Sequence, residues 1–223
     1  ELGCLRGYEH QIRIKRNSTP SVAKVRRIPL QLREKVEAEI NKLLNDGIIE
    51  SVEATEWLAP LVVSHKGSGE IRLCVDLREL NKAVIVDHFP LPNIDEIMNS
   101  LHGARYFSTL DLASAYSQVE LEESSRELTA FITPMGSFQF KRMPFGLVSA
   151  ASCFQRIMSK VLKEAPGVRF YQDDILVFGT NKSEHDERLS KVLHRLEKAG
   201  LTLKEGKCRF SVEAVDYLGY HID

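Results

Sequence analysis

The sequence is short of the features that staple, anchor or export a protein. Its four cysteines, Cys4, Cys74, Cys153 and Cys208, lie far apart and form no CxxC pair. Neither a structural zinc site nor a disulfide framework is implied, and the reduced thiols of an intracellular protein are expected. No stretch approaches the roughly 18 uninterrupted apolar residues of a membrane helix. No charged-then-apolar leader with a cleavage site marks it for secretion. Internal repeats and low-complexity tracts are absent. The histidines are scattered, and His185 and His194, on different faces of a helical stretch, are expected to be solvated. Net charge is nearly absent, at −1 over 223 residues. The first residue is Glu1 rather than Met, so a piece of a longer polypeptide is expected.

What is present is ordinary in bulk and uneven in detail. With 43% hydrophobic and 27% charged residues, the chain has the material for one large globular domain or two small ones. Between positions 11 and 35, Arg13, Lys15, Arg16, Lys24, Arg26, Arg27, Arg33 and Lys35 face the single acid Glu34. A second basic run, Lys198, Lys204, Lys207 and Arg209, lies late in the chain. Local basic surface on a neutral protein suits a polyanion, because phosphate contacts carry most nonspecific nucleic-acid affinity. A charge run is more often a solvated face, so this signal is weak by itself.

The apolar spacing predicts a helix over 29–46, with Pro29 in the first turn, Leu32, Val36, Ile40 and Leu43 on one face, and Gly47 as the stop. Residues 59–76 read as a hairpin around 66–69. A short helix follows near 92–102, then a buried strand from Tyr106 to Leu112. Phe131–Thr133 and Phe138–Lys141 read as paired strands. Phe154, Ile157, Met158, Val161 and Leu162 form a helical stripe closed by Pro166 and Gly167. Val168 to Phe178 reads as a hairpin, Leu189 to Leu196 as a helix capped by Gly200, and Leu201–Leu203 with the stretch to Ile222 as strands. Helices set between strands of mixed direction point to an α+β fold.

Three segments carry chemistry. In Phe170-Tyr-Gln-Asp-Asp-Ile-Leu-Val-Phe178, two adjacent acids sit between apolar strand arms. Burying them is costly unless a cation or hydrogen bonds compensate, and Mg²⁺ wants such oxygen ligands. A plain polar turn is the alternative. In Phe107-Ser-Thr-Leu-Asp-Leu-Ala-Ser-Ala-Tyr116, Asp111 closes a strand and small residues follow. It could be a helix N-cap, or it could converge with the hairpin acids. Three acids from two strands can hold two Mg²⁺ ions for in-line phosphoryl displacement. In Met143-Pro-Phe-Gly-Leu-Val-Ser-Ala-Ala-Ser-Cys-Phe-Gln155, a glycine and small residues allow a backbone or flat base to approach, or simply pack a helix.

Taken in order, Asp111 with Tyr116, the Met-Pro-Phe-Gly-Leu segment and Tyr171-Gln-Asp-Asp174 resemble the reverse-transcriptase motifs, closest to gypsy-type LTR retrotransposons. Arg72-Leu-Cys-Val-Asp-Leu-Arg-Glu-Leu-Asn-Lys82, Phe89-Pro-Leu-Pro92 and Tyr217-Leu-Gly-Tyr220 extend the likeness to essentially the whole chain. Tyr-x-Asp-Asp alone is a weak signal; five motifs in order are a strong one.

The resemblance implies an RNA-directed DNA polymerase of right-hand form, with an antiparallel palm sheet packed on helices and no thumb. Fingers would be 1–84 and 119–149, palm 85–118 and 150–223. Asp111 and Asp173 would bind two Mg²⁺ (or Mn²⁺) ions, with Asp174 a weaker third. Lys66, Arg72, Ala115, Tyr116, Phe145, Gly146 and Lys207 would contact the dNTP. Tyr116 would exclude a ribose 2′-hydroxyl, and Lys207 would assist pyrophosphate departure. Arg78, Gln155, Tyr171, Gln172, Leu218 and Gly219 would meet primer or template, with the Gln172 side chain near the primer terminus.

Implied partners are a primed RNA or DNA template, dNTPs and the protease, RNase H and integrase domains of a parent polyprotein, with no membrane. The implied location is cytoplasmic, inside virus-like particles, or nuclear for a domesticated copy. The alternative is a catalytically weak or domesticated fragment that binds nucleic acid or protein. Gln172 stands where retroviruses have Met, and Phe145 where they often have Gln. Val148, Ala151 and Ser152 depart from the Thr, Pro and Thr of the gypsy pattern. None of these removes a carboxylate.

Overall fold

A computed structural model describes residues 2–53, 55–65 and 70–223. In chain order the elements begin with β1 (Glu9–His10), α1 (Leu30–Asn45), β2 (Ile49–Ser51), β3 (Ala59–His65) and β4 (Ile71–Val75). They continue with α2 (Arg78–Ala83), α3 (Ile94–Asn99), β5 (Tyr106–Asp111), β6 (Glu120–Leu121), α4 (Glu123–Arg126), β7 (Phe131–Thr133) and β8 (Gly136–Phe140). The remainder are α5 (Ala150–Val161), β9 (Val168–Tyr171), β10 (Asp174–Gly179), α6 (Lys182–Ala199), β11 (Arg209–Val212), β12 (Val215–Tyr217) and β13 (Tyr220–Ile222). Among the described residues no helix is long and apolar enough to cross a membrane.

The chain forms two compact units, Gly7–Val86 with Val119–Ala150, and Glu1–Arg6 with Asp87–Gln118 and Ala151–Asp223. The first contains a five-stranded sheet in the order β2-β8-β7-β3-β4, antiparallel except for the parallel β3–β7 pair. Val36 and Ile40 of α1 are buried with Ile49, Leu61, Phe131 and Phe138 to form its core. The predicted face of α1 is therefore the one buried. Pro29 sits just before the first helical residue, where its missing N–H costs nothing.

The other unit is built on the antiparallel sheet β11-β5-β10-β9. Ile175, Leu176 and Val177 of β10 are fully buried, which explains why this strand reads as an unbroken apolar run rather than an alternating one. Helix α6 packs on β10 and β5. It starts at an Asn181 side-chain cap and ends at Gly200, whose φ is +82° and whose Cβ would lie 2.2 Å from the Cys4 carbonyl oxygen. Glycine is needed there both for the left-handed turn and for the close approach.

Two sequence expectations need correction. His185 is not solvated: it is fully buried, because α6 begins at Lys182 rather than near Leu189. Its Nε2 shares a 2.9 Å hydrogen bond with Ser108 Oγ, and its Nδ1 lies 2.9 Å from Asp186 Oδ1. Leu201–Leu203 form no strand, only an isolated bridge between Leu203 and Leu112. The buried Gln118 side chain takes over the backbone there, accepting from Thr202 N at 2.8 Å and donating to Thr202 O at 2.9 Å. Residues 2–6 belong to the four-stranded unit. Leu5 N donates to Gln118 O, and Cys4 N and Arg6 N donate to the α6 C-terminal carbonyls of Gly200 and Ala199.

Candidate active site

Strands β9 and β10 are joined by a two-residue turn, Gln172-Asp173, with Tyr171 and Asp174 as the closing pair. Asp174 is in turn the register partner of Asp111 at the end of β5. Cross-strand partners project to the same side of a sheet. The sheet therefore collects Asp111, Asp173 and Asp174 at one end, where strand geometry leaves three carboxylates in mutual electrostatic reach.

That proximity shows in their proton affinities. The Asp173 carboxyl is pushed above its ordinary pKa mainly by burial, with the Asp111 charge adding and Lys207 opposing. Asp174 is raised in the same way, by desolvation first and then by Asp173 and Asp111. The residue itself is exposed at the strand end, where its carboxyl stays open to solvent on one side. Lys207 is brought in by a short 3-10 turn, Glu205–Lys207, that wraps the end of β5. Lys204 N donates to Asp111 O at 2.8 Å, and Lys207 Nζ lies 3.6 Å from Asp111 Oδ2. Buried Cys208 supports the same point, its Sγ 3.5 Å from Asp111 N.

Among the described residues no group of three or more His, Cys, Asp or Glu side chains is gathered closely enough to hold a metal ion. The three acids share one strand end without forming a cage. The donor chemistry still fits a hard divalent cation. Mg²⁺ at a phosphoryl-transfer site takes one or two carboxylates and fills its shell with water and substrate phosphates.

The turn is fastened by three side chains. Tyr116 Oη donates to Gln172 Oε1 at 2.8 Å, and Gln172 N donates to Gln155 Oε1 at 2.6 Å. Tyr217 Oη donates to the Asp174 carbonyl at 2.8 Å. Tyr217 is buried, and its phenol is driven far above the ordinary tyrosine pKa by desolvation and by the Asp174 charge. Tyr116 lies in a 3-10 turn with buried Ala115, its ring edge-on to Phe154 at a centroid distance of 5.7 Å. At the β12–β13 turn, Leu218 and Gly219 both have positive φ, +50° and +84°.

The five-stranded unit holds the other expected residues. Arg72 is exposed on β4 opposite Ser64. Exposed Arg78 grips Asp76 with Nε to Oδ1 at 2.8 Å and Nη2 to Oδ2 at 2.6 Å, holding that carboxyl down at about 2. Phe145 is 77% exposed beside Gly146. Asn81 of α2 clamps this segment, donating to Gly146 O and accepting from Val148 N. Lys66 lies outside the described residues.

The sequence matches the family described as reverse transcriptase (RNA-dependent DNA polymerase) over residues 64–222. The chain belongs to the reverse transcriptase family. Among curated relatives, the Pol polyprotein of transposon 412 from Drosophila melanogaster is 36% identical over 221 residues, covering 96% of this chain and 18% of that protein. The Pol polyprotein of the gypsy transposon from the same organism is 39% identical over 192 residues, covering 83% of this chain and 19% of its own length. The chain thus spans about a fifth of these polyproteins. Its fold matches the foamy viral protease-reverse transcriptase solved with an RNA/DNA hybrid, with a TM-score of 0.90 at 24% identity, over 100% of this chain and 30% of that one. The α+β fold is that of reverse-transcriptase fingers and palm.

Within this chain, sequence reasoning missed the fastening residues. Gln155, expected beside the template, directs its amide oxygen to the turn, and Gln172, expected beside the primer, spends its own on Tyr116. Nothing in a one-dimensional pattern announces such pairs, since their members lie 17 and 56 residues apart. Helix α2 and its Asn81 were missed because six residues are too few to show a helical period.

Proposed function

We propose that the chain carries the fingers and palm of an RNA-directed DNA polymerase, with the four-stranded unit as palm and the five-stranded unit as fingers. The observation that carries this reading is the joining of Asp111, Asp173 and Asp174 at one end of the β5–β10 pair in a member of this family. Asp111 and Asp173 would hold divalent cations, Mg²⁺ or Mn²⁺, with Asp174 as a third oxygen donor. Such cations would lower the pKa of a primer 3′-hydroxyl and neutralise charge on departing pyrophosphate.

The chain's own residues supply placement and charge. In the transfer, the 3′-oxygen bonds to the α-phosphorus, the bond from that phosphorus to the α,β-bridging oxygen breaks, pyrophosphate leaves with that oxygen, and the hydroxyl proton passes to water. Lys207 lends a positive charge beside Asp111 and is suited to the leaving group. Lys66 and Arg72 would take triphosphate oxygens, Arg72 through its planar fork. Tyr116, with Ala115, would sit beneath the sugar, and the exposed Phe145 with Gly146 would shape the base pocket. Arg78, Tyr171, Leu218 and Gly219 would meet template and primer. The foamy viral structure with an RNA/DNA hybrid supports a primed template as partner, and the polyprotein relatives support further domains in the parent.

Primer extension on a primed RNA template with dNTPs and Mg²⁺ or Mn²⁺ tests this reading, with Asp173→Asn as control. Incorporation by the wild type and not by the variant is expected. Equal, negligible incorporation by both, with hybrid binding retained, would replace the polymerase by a nucleic-acid binding module.

A further inference from the structure

The turn that carries Asp173 has an unusual occupant. Gln172 has φ +56°, and Asp173 is not among the residues of positive φ. This is the sign pattern of a type II′ hairpin turn, whose first position normally belongs to glycine. A glutamine persists in the left-handed region only when its surroundings over-determine it, and such outliers collect at functional sites. Here the surroundings are named. The backbone N–H is held by Gln155, which is 4% exposed, and the side-chain oxygen is held by the Tyr116 hydroxyl. Phe154, the neighbour of Gln155 on α5, is fully buried and supports the Tyr116 ring from its edge. One turn of α5 therefore fixes both the residue beside the acids and the ring.

We propose that Gln172 is a positioning residue for sugar selection: its amide oxygen fixes the Tyr116 hydroxyl, and so sets where the ring stands against the nucleotide's C2′. The proposal rests on the reading of the chain as a polymerase with Tyr116 beneath the sugar. An apolar side chain at this position could meet primer or nucleotide but would offer a phenol at most the weak acceptor of a thioether. Discrimination would then lose the part that this hydrogen bond supplies. With glutamine, the ring is held at two points, by Phe154 at its edge and by Gln172 at its far end.

The test needs no turnover. On a primer ended with a dideoxynucleotide, the dissociation constants of the complementary dNTP and rNTP are measured with the wild-type chain, Tyr116→Phe, Gln172→Met and the double variant. Circular dichroism confirms that each is folded. The two single variants are expected to lose the same part of the dNTP preference, about three- to tenfold, as for one neutral hydrogen bond removed. The double variant should lose no more than either single one. A merely structural loosening would weaken both nucleotides together and leave their ratio unmoved. An unchanged ratio in Gln172→Met, or an effect that multiplies with that of Tyr116→Phe, would overturn the proposal while leaving the polymerase reading intact. An unchanged ratio in Tyr116→Ala would instead remove Tyr116 as the gate. Retention of neither nucleotide by the folded wild type would end the polymerase reading, and this inference with it.

Discussion

The two units handle charge in opposite ways. In the four-stranded unit, three carboxylates are crowded at a strand end and two of them pay for it in raised proton affinity. In the five-stranded unit, Arg13, Lys15, Arg16, Lys24, Arg26, Arg27, Arg33 and Lys35 all lie exposed, where water screens them from one another. Crowded charge is held in place by a scaffold of strand register and hydrogen bonds. Dispersed charge lies on exposed side chains with local partners, such as the Lys82 carbonyl for Lys15 and Asp76 for Arg26. The contrast teaches where substitutions should hurt: in the first unit through geometry, in the second through ionic strength.

The largest effect expected is on the acids. Asp173→Asn should lower dNTP incorporation roughly a thousandfold, as for the loss of several kcal/mol of transition-state charge stabilisation. Stability should move the other way. A raised carboxyl pKa means the folded state holds its proton more tightly than the unfolded chain, so ionisation costs stability as pH rises through that pKa. Thermal unfolding at neutral pH should therefore show Asp173→Asn no less stable than the wild type, and a clear drop would contradict the crowding. Next comes the scaffold. A Cβ on Gly179 would lie 2.7 Å from His185 N, against helix backbone that cannot step aside. Gly179→Ala should cost about 1–3 kcal/mol in urea unfolding, whereas Arg33→Ala in the other unit should stay within about 0.5 kcal/mol.

Tyr217→Phe comes third. It keeps the ring and deletes only the bond to the Asp174 carbonyl, so about 1 kcal/mol of stability should go. Hydrogen exchange at the amides of Gln172 to Ile175 should quicken, and unchanged exchange would deny Tyr217 its anchoring part. The smallest effects belong to the exposed unit. Binding to an RNA/DNA hybrid should weaken steeply with salt, and Arg78→Ala should reduce the slope of log K against log salt by about 1. The same variant leaves Asp76 only the more distant Arg26, 3.7 Å away. With Arg78 present, the depressed carboxyl contributes stability above its ordinary pKa of 3.8 and loses it as pH falls through about 2. Without Arg78, acid unfolding should begin at a higher pH.

Much of this was legible before any coordinates. The face of α1, the β3–β4 and β9–β10 hairpins, the stripe of α5 and the Gly200 stop follow from local rules of period, turn and cap. The order of the carboxylate motifs named the family, because each motif is a run of neighbours. What escaped was decided by partners remote in sequence. His185 looked like a surface histidine since nothing near it reveals Ser108, 77 residues away. Leu201–Leu203 looked like a strand since its apolar run is one, but Gln118 claims its backbone.

The sequence alone determined which residue types this chain brings to its candidate site, and in what order, because composition and motif spacing are properties of the chain. The tertiary structure alone decided that Asp111 faces Asp174 across a register and that Tyr116, Gln155 and Tyr217 fasten the turn between β9 and β10. Register and hydrogen bonding across tens of residues arise only when the sheet closes. Until then a glutamine at position 172 is an oddity, and afterwards it is the residue through which Tyr116 and the acid-bearing turn are joined.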